Sequence, residues 1–355
     1  MGALLLKLFL TNILFSLIIG ALLVRLNKKG EYPTVELVLY SLGLGPVFTV
    51  LILYYLLLLI PRQTHLFYLA GIFLVYLLLF LGAGKGFQRI FGQMKEFFKI
   101  FRAVPGTAIY WCMLLVVLVG VLSLYPVSIL KTPVEGHDAL IYGNLGKTYY
   151  HERQVPYEKV MKPRQNGFYF QGSTKPSFSL LLTWEMMLNS GNANQSQQFD
   201  LYFRSISGYY GLLIIAVVFL WLYRKNKFLA LLGILVLLSG LRFFLMLVDY
   251  HLDSYRIFFL LVSWIWLAYT IKKRDHLSFF LLGVFSGFMA FTHVIGLVAA
   301  LVNGLAFLIF AEQGFLERTV KTAAFFGLTV VFGGVHYLLE ALYGSVSGFL
   351  TYISF

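Results

Sequence analysis

The chain has 355 residues, of which 59% are hydrophobic and only 12% charged, and its mean hydropathy is +0.81. That excludes an ordinary water-soluble domain, which carries about 25% charged residues and needs polar surface to cover its core. The net charge of +13 does not indicate nucleic acid, because the basic residues sit in short loops between apolar blocks, where they orient spans and meet anionic lipid.

The apolar blocks have the ~20-residue length that crosses a ~30 Å hydrocarbon layer as helix. Alternating strands of barrel type are absent from the sequence. The expected fold is therefore an all-α polytopic membrane protein, with every backbone group bonded inside its own helix. Spans are predicted at 3–26, 35–60, 66–83, 107–130, 203–223, 228–248, 255–271, 277–291, 294–311 and 321–341, about ten in all. The first reads as a retained helix, since it is long and lacks a basic start and a cleavage site. Between the third and fourth, 84–106 carries Phe87, Ile90, Phe91, Met94, Phe97 and Phe98 at roughly helical spacing among basic residues. This predicts an amphipathic helix on the inner leaflet. It divides a leading part, 1–104, from a larger module, 105–355. The single cysteine, Cys112, falls in an apolar run and reads as packing. The stretch 277–311 is too long for one crossing, and Phe291-Thr292-His293 predicts a bend between two short helices.

Lys and Arg collect in one set of alternate loops: Arg25, Lys28 and Lys29; Lys85, Arg89, Lys95, Lys99 and Arg102; Arg224, Lys225 and Lys227; Lys272, Lys273 and Arg274; Arg318 and Lys321. The opposing short connections hold Arg62 and little else. The positive-inside rule puts the first set in the cytoplasm, both chain ends outside, and the long loop 131–200 outside too.

That loop opens with Glu135, His137 and Asp138 directly after the fourth span. Ile141, Leu145 and Tyr149 recur at i, i+4 and i+8, which predicts a helix lying along the membrane with one apolar face. Asp138 stands at its start, where the helix dipole favours a carboxylate; it reads equally as a cap and as a site residue. Pro176, after Lys175, predicts a second interfacial helix, and 189–198 a polar linker. Beyond two further spans, Asp249, His251, Asp253 and Arg256 cluster in an outer turn, with Arg242 about two turns below. Charge at the membrane surface is a functional signal; the plainer reading is a solvated turn with Asp253 and Arg256 paired. His137, Asp138, Asp249, His251 and Asp253 also have the donors of a divalent-cation site, without diagnostic spacing. No cofactor is required. His293 and His336 read as packing hydrogen bonders within helices.

The run Glu135-Gly-His-Asp138-Ala-Leu-Ile-Tyr142-Gly-Asn-Leu, followed by Gln154-Val-Pro156-Tyr157, resembles the first outer loop of the GT-C glycosyltransferases. Its nearest likeness is to the protein O-mannosyltransferase-like and aminoarabinose transferase-like branches. Lys175-Pro176-Ser-Phe resembles the start of a later loop helix of that superfamily, the segment from Asp249 to Arg256 its polar outer turn, and Phe291-Thr-His293-Val-Ile-Gly296 a bend between later spans. The resemblance covers about 105–341; the three leading spans depart from it. It implies a transferase that moves a sugar from a polyprenyl-phosphate donor to an acceptor at the extracytoplasmic face of a cell membrane, with inversion. Asp138 would be the general base. Arg256, Arg242, Lys175 and Arg204 would grip the donor phosphate, and His137, Glu135, Tyr142, Asp249, His251, Asp253 and His293 would surround substrate or acceptor. The competing expectations are a transporter or flippase for lipid-linked sugars, and a non-catalytic membrane assembly protein.

Overall fold

The computed structural model describes residues 2–102, 108–130, 137–155, 175–189, 195–240, 243, 253–273 and 275–342. Among them every regular element is a helix: α1 (Gly2–Leu26), α2 (Thr34–Leu59), α3 (His65–Arg102), α4 (Ala108–Leu130), α5 (His137–Glu152), α6 (Pro176–Leu188), α7 (Gln195–Tyr223), α8 (Lys227–Ser239), α9 (Asp253–Lys273), α10 (His276–Thr292), α11 (Val294–Phe310) and α12 (Phe315–Thr329). A π-helical turn, Val330–Gly334, then leads into α13 (Val335–Leu342).

Five of these stretches are long and apolar enough to cross a membrane, and five shorter apolar helices accompany them. Leu74, Leu77, Leu78 and Leu81 on α3 and Leu115, Val116, Val119 and Leu122 on α4 are exposed. Water would penalise patches of that size, and lipid does not. Lys225 lies over the Trp221 ring, Lys227 over Tyr223 and Lys273 over Tyr269, the aromatic-plus-basic pairing that anchors helix ends at a membrane boundary.

The helices sort into two compact units. The first comprises Met1–Thr49, Leu69–Val134 and Leu188–Tyr255. Its α1 and α2 meet through small residues: a Cβ on Gly45 would collide with the Ser16 backbone, and one on Gly20 with the Ser41 side chain. Such residues let helix backbones approach where lipid gives no hydrophobic drive. Pro46 lies inside α2 and so cannot donate to the Leu42 carbonyl. Tyr209 hydroxyl donates to that carbonyl at 2.7 Å and Ser16 hydroxyl at 3.2 Å, while Tyr210 donates to Gly43 O at 2.9 Å. The defect in α2 becomes the place where α7 attaches.

The second unit comprises Val50–Tyr68, Glu135–Met187 and Arg256–Phe355. Here α5 lies on α6. Gly146 leaves no room for a Cβ beneath Ser179 O, Thr183 hydroxyl donates to Gly146 O at 3.0 Å, and the Tyr142 and Phe178 rings meet edge-on at 5.7 Å. Ile141, Leu145 and Tyr149 are buried, so the face expected from their spacing is the one that packs. The expected bend at His293 is present: its backbone is extended, and its Nδ1 accepts the Ile295 amide at 3.1 Å. In the same unit Asn303 bridges Ser263 and Ser286.

Two expectations are corrected. The amphipathic segment foreseen at 84–106 is the second half of α3, continuous from His65 to Arg102. The helix continues through Gly82, Gly84 and Gly86: Gly86 sits against the Ala21 carbonyl, and Arg25 donates to Gly82 O. Of the span expected at 228–248, the part beyond Gly240 lies, apart from Phe243, outside the described residues. The span foreseen at 321–341 starts at Phe315 and carries the π turn. Gly333 there has φ +155 and its Cα faces Phe291 and the Gly287 carbonyl, a conformation and a space that favour glycine. The irregular turn leaves Val331 O to accept the Tyr55 hydroxyl at 2.6 Å.

Candidate functional site

The second unit contains a sealed charged cluster. Lys175, immediately before α6, places its Nζ 2.6 Å from Glu340 Oε2; their side chains are 0% and 1% exposed. His336, one turn before Glu340 on α13, brings Nε2 to 3.0 Å from the other carboxylate oxygen. The Tyr337 ring lies 4.3 Å beneath the Lys175 ammonium, and its hydroxyl donates to Ala290 O at 2.9 Å. Tyr54 packs its ring against both His336 and Phe291. A carboxylate held between two nitrogens and capped by aromatic rings is well compensated, yet it still carries the desolvation penalty of buried ions.

Helix α5 reaches this cluster with its second half. Burial first, then neighbouring Tyr54 and Glu340, hold the Tyr149 phenol well above its ordinary range. Burial likewise lowers the Lys175 ammonium from its ordinary range, with Glu340 opposing the shift. Glu185 on α6 is 2% exposed, and burial pushes its carboxyl well above the usual carboxylate range. The end of α5 is tied down as well. Arg153 O accepts the Arg62 amide at 2.7 Å and the Tyr68 hydroxyl at 3.0 Å, and the His65 ring stacks on Tyr150 at 4.2 Å.

The residues singled out from the sequence fall as follows. His137 and Asp138 form the first turn of α5, one turn before the buried Tyr142. Lys175 is not a solvent-facing cation but the enclosed partner of Glu340. Arg204 belongs to α7, and Asp253 and Arg256 form the first turn of α9, partly exposed. His293 is the hinge between α10 and α11. Glu135, Arg242, Asp249 and His251 lie outside the described residues. Among the described residues, no group of three or more His, Cys, Asp or Glu gathers as a metal site.

Glu340 and Tyr337 were not foreseen as site residues, and His336 was read as packing alone. Their signal was in the sequence: a histidine and a carboxylate at i, i+4 inside an otherwise apolar helix, where an ionisable pair is costly. Their partner could not be read, because Lys175 is 165 positions away. No family model, curated protein or solved structure matches the chain.

Proposed function

We propose that the chain is a membrane glycosyltransferase that moves a sugar from a polyprenyl-phosphate donor to an acceptor at the extracytoplasmic face. In this reading the five shorter apolar helices cross the membrane together with the five long ones, and the loop bearing α5 and α6 lies outside. One observation carries the reading. α5 starts at His137–Asp138 just after an apolar helix, lies on α6, and ends beside a sealed Lys175–Glu340–His336 cluster. A lipid-borne donor presents its phosphate at the membrane surface, so its enzyme needs a rigid carboxylate there with cations at hand. The packed α5–α6 pair supplies that rigidity.

Asp138 would accept the proton of the acceptor hydroxyl as the oxygen attacks the anomeric carbon. Polyprenyl phosphate would leave from the opposite face with the bonding electrons, inverting the centre. Since Lys175 is neutralised by Glu340, its part is to fix α6 against α13. Within the second unit the donor phosphate then falls to Arg256. The test is release of polyprenyl phosphate by the full chain in nanodiscs supplied with donor. Asp138→Asn is expected to lower turnover by about 10²–10⁴-fold with folding unchanged, the usual weight of general-base catalysis; near wild-type release removes Asp138 from the role.

A second reading, movement of a lipid-linked sugar across the membrane, draws on the break at His293 and the π turn at Gly333. Broken helices and intramembrane charge mark transport paths. The cluster's position favours the enzyme instead, because Glu340 lies near the end of the Phe315–Leu342 helix rather than at its middle. Donor translocation without any release of polyprenyl phosphate would reverse the choice, and the absence of both would leave an assembly role.

A further inference from the structure

The first unit holds a cavity of about 340 Å³ whose walls carry Lys28, Lys29 and Arg89. It sits between the loop joining α1 to α2 and the second half of α3. The loop is built to a fixed shape. Asn27, 7% exposed, donates from Nδ2 to Tyr32 O at 2.7 Å and accepts the Glu31 amide at 3.0 Å on Oδ1, while Gly30 turns at φ +66. Arg89 is drawn to the cavity by the closing carbonyls of α1, its Nη1 lying 3.4 Å from both Val24 O and Asn27 O. A guanidinium has five donors, more than those two contacts use. Among the described residues that line the cavity none is acidic, and Glu31, next to Gly30 in the loop, is 3.9 Å from Lys29.

The cavity's place along the helices says what it meets. α1 ends at Leu26 and α2 begins at Thr34, so the loop stands where two apolar helices leave the hydrocarbon. Leu26 and Phe91, elsewhere on α1 and α3, are exposed at 54% and 66%, so apolar helix surface continues to this level. A polar, cationic hollow at that level matches a phosphate group held at the membrane face.

We propose that this cavity binds a phosphate group at the membrane face where the loop lysines and arginines gather, presented by an anionic phospholipid or as the free anion. The site is separate from the proposed transfer reaction and does not depend on it.

The experiment uses the full chain in phosphatidylcholine nanodiscs doped with phosphatidylglycerol, with retained lipid counted by native mass spectrometry. A parallel arm adds inorganic phosphate. Lys28→Gln with Arg89→Gln is expected to lower retention about 30-fold, two cations near a membrane surface each contributing about fivefold. Arg89→Lys should recover most of it. Lys28→Gln alone, on an exposed loop, should give about fivefold and serves if the pair fails to fold. Phosphate that competes for retained lipid supports a phosphate-reading site, and phosphate that binds with no lipid retained supports it with the free anion as source. Equal retention by wild type and pair variant overturns the proposal. So does an equal loss from Lys272→Gln with Lys273→Gln, which removes the same charge elsewhere.

Discussion

The two units differ in how far they seal buried charge from water, although both use neutral hydroxyls on backbone carbonyls. In the first, carbonyls close to Pro46 accept such hydroxyls: Tyr209 on Leu42, Tyr210 on Gly43, and Tyr76 on Gly45 at 3.1 Å. Its buried carboxylate, Glu36, pairs at 2.5 Å with Arg224, which remains 36% exposed, so one partner keeps its water. In the second unit Lys175, Glu340 and His336 are enclosed together. Helices can therefore be joined in this protein by hydroxyls with little desolvation penalty. A sealed ion cluster is a costlier way to fix α6 against α13.

That contrast can be broken most forcefully at Glu340. Glu340→Ala leaves the Lys175 ammonium buried without its carboxylate, and breaking such a pair typically costs about 3–5 kcal/mol. The double change Lys175→Met with Glu340→Leu removes both charges and should recover most of that loss. Unfolding titrations in mixed micelles would read both. Glu36→Ala should cost visibly less, because Arg224 can turn to solvent. If the two single variants are equally destabilised, burial does not separate the units as argued. If the double variant regains stability but loses polyprenyl phosphate release, the cluster serves the reaction.

Glu185 gives a smaller effect with a defined sign. Its carboxyl is held above its unfolded value by burial, so the folded state keeps a proton that the unfolded state has already released. Stability from this group is fully present below the unfolded pKa and falls as pH rises towards the folded one. Relative to Glu185→Gln, the wild-type chain should lose up to about 1.4 kcal/mol per pH unit above the ordinary glutamate range. Parallel pH profiles of the two proteins that never diverge would mean the carboxyl titrates normally.

How far the sequence foretold these features depends on the distance over which each is encoded. The helical fold, the α5 face of Ile141, Leu145 and Tyr149, the start of α6 at Pro176 and the hinge at His293 are local: spacing, a fixed φ and a capping side chain suffice. The continuity of α3 was missed because its basic second half reads as a change of environment, whereas a helix continues through any sequence that neither breaks nor caps it. The Lys175–Glu340 pair and the Tyr209–Leu42 bond join residues 165 and 167 positions apart, and no periodicity records such a match. For Asp138 the sequence supplies a resemblance and the fold a helix start.

The smallest effect tests the neutral solution in the first unit. Tyr209→Phe deletes the hydroxyl that donates to Leu42 O and leaves the ring in place. Interhelical hydrogen bonds in membranes average about 0.6 kcal/mol, and Ser16 at 3.2 Å retains part of the contact, so the loss should be of about that size. The contact depends on Pro46, since Leu42 O accepts from α7 where α2 itself supplies no donor. In a Pro46→Ala background the backbone amide restored at position 46 can close the helix onto Leu42 O, and the same Tyr209→Phe change should then cost close to nothing. A double-mutant cycle in bicelles reads the difference as a coupling energy between residues 46 and 209. Zero coupling would mean that Tyr209 stabilises the unit through its ring alone, and that the break in α2 is not what recruits α7.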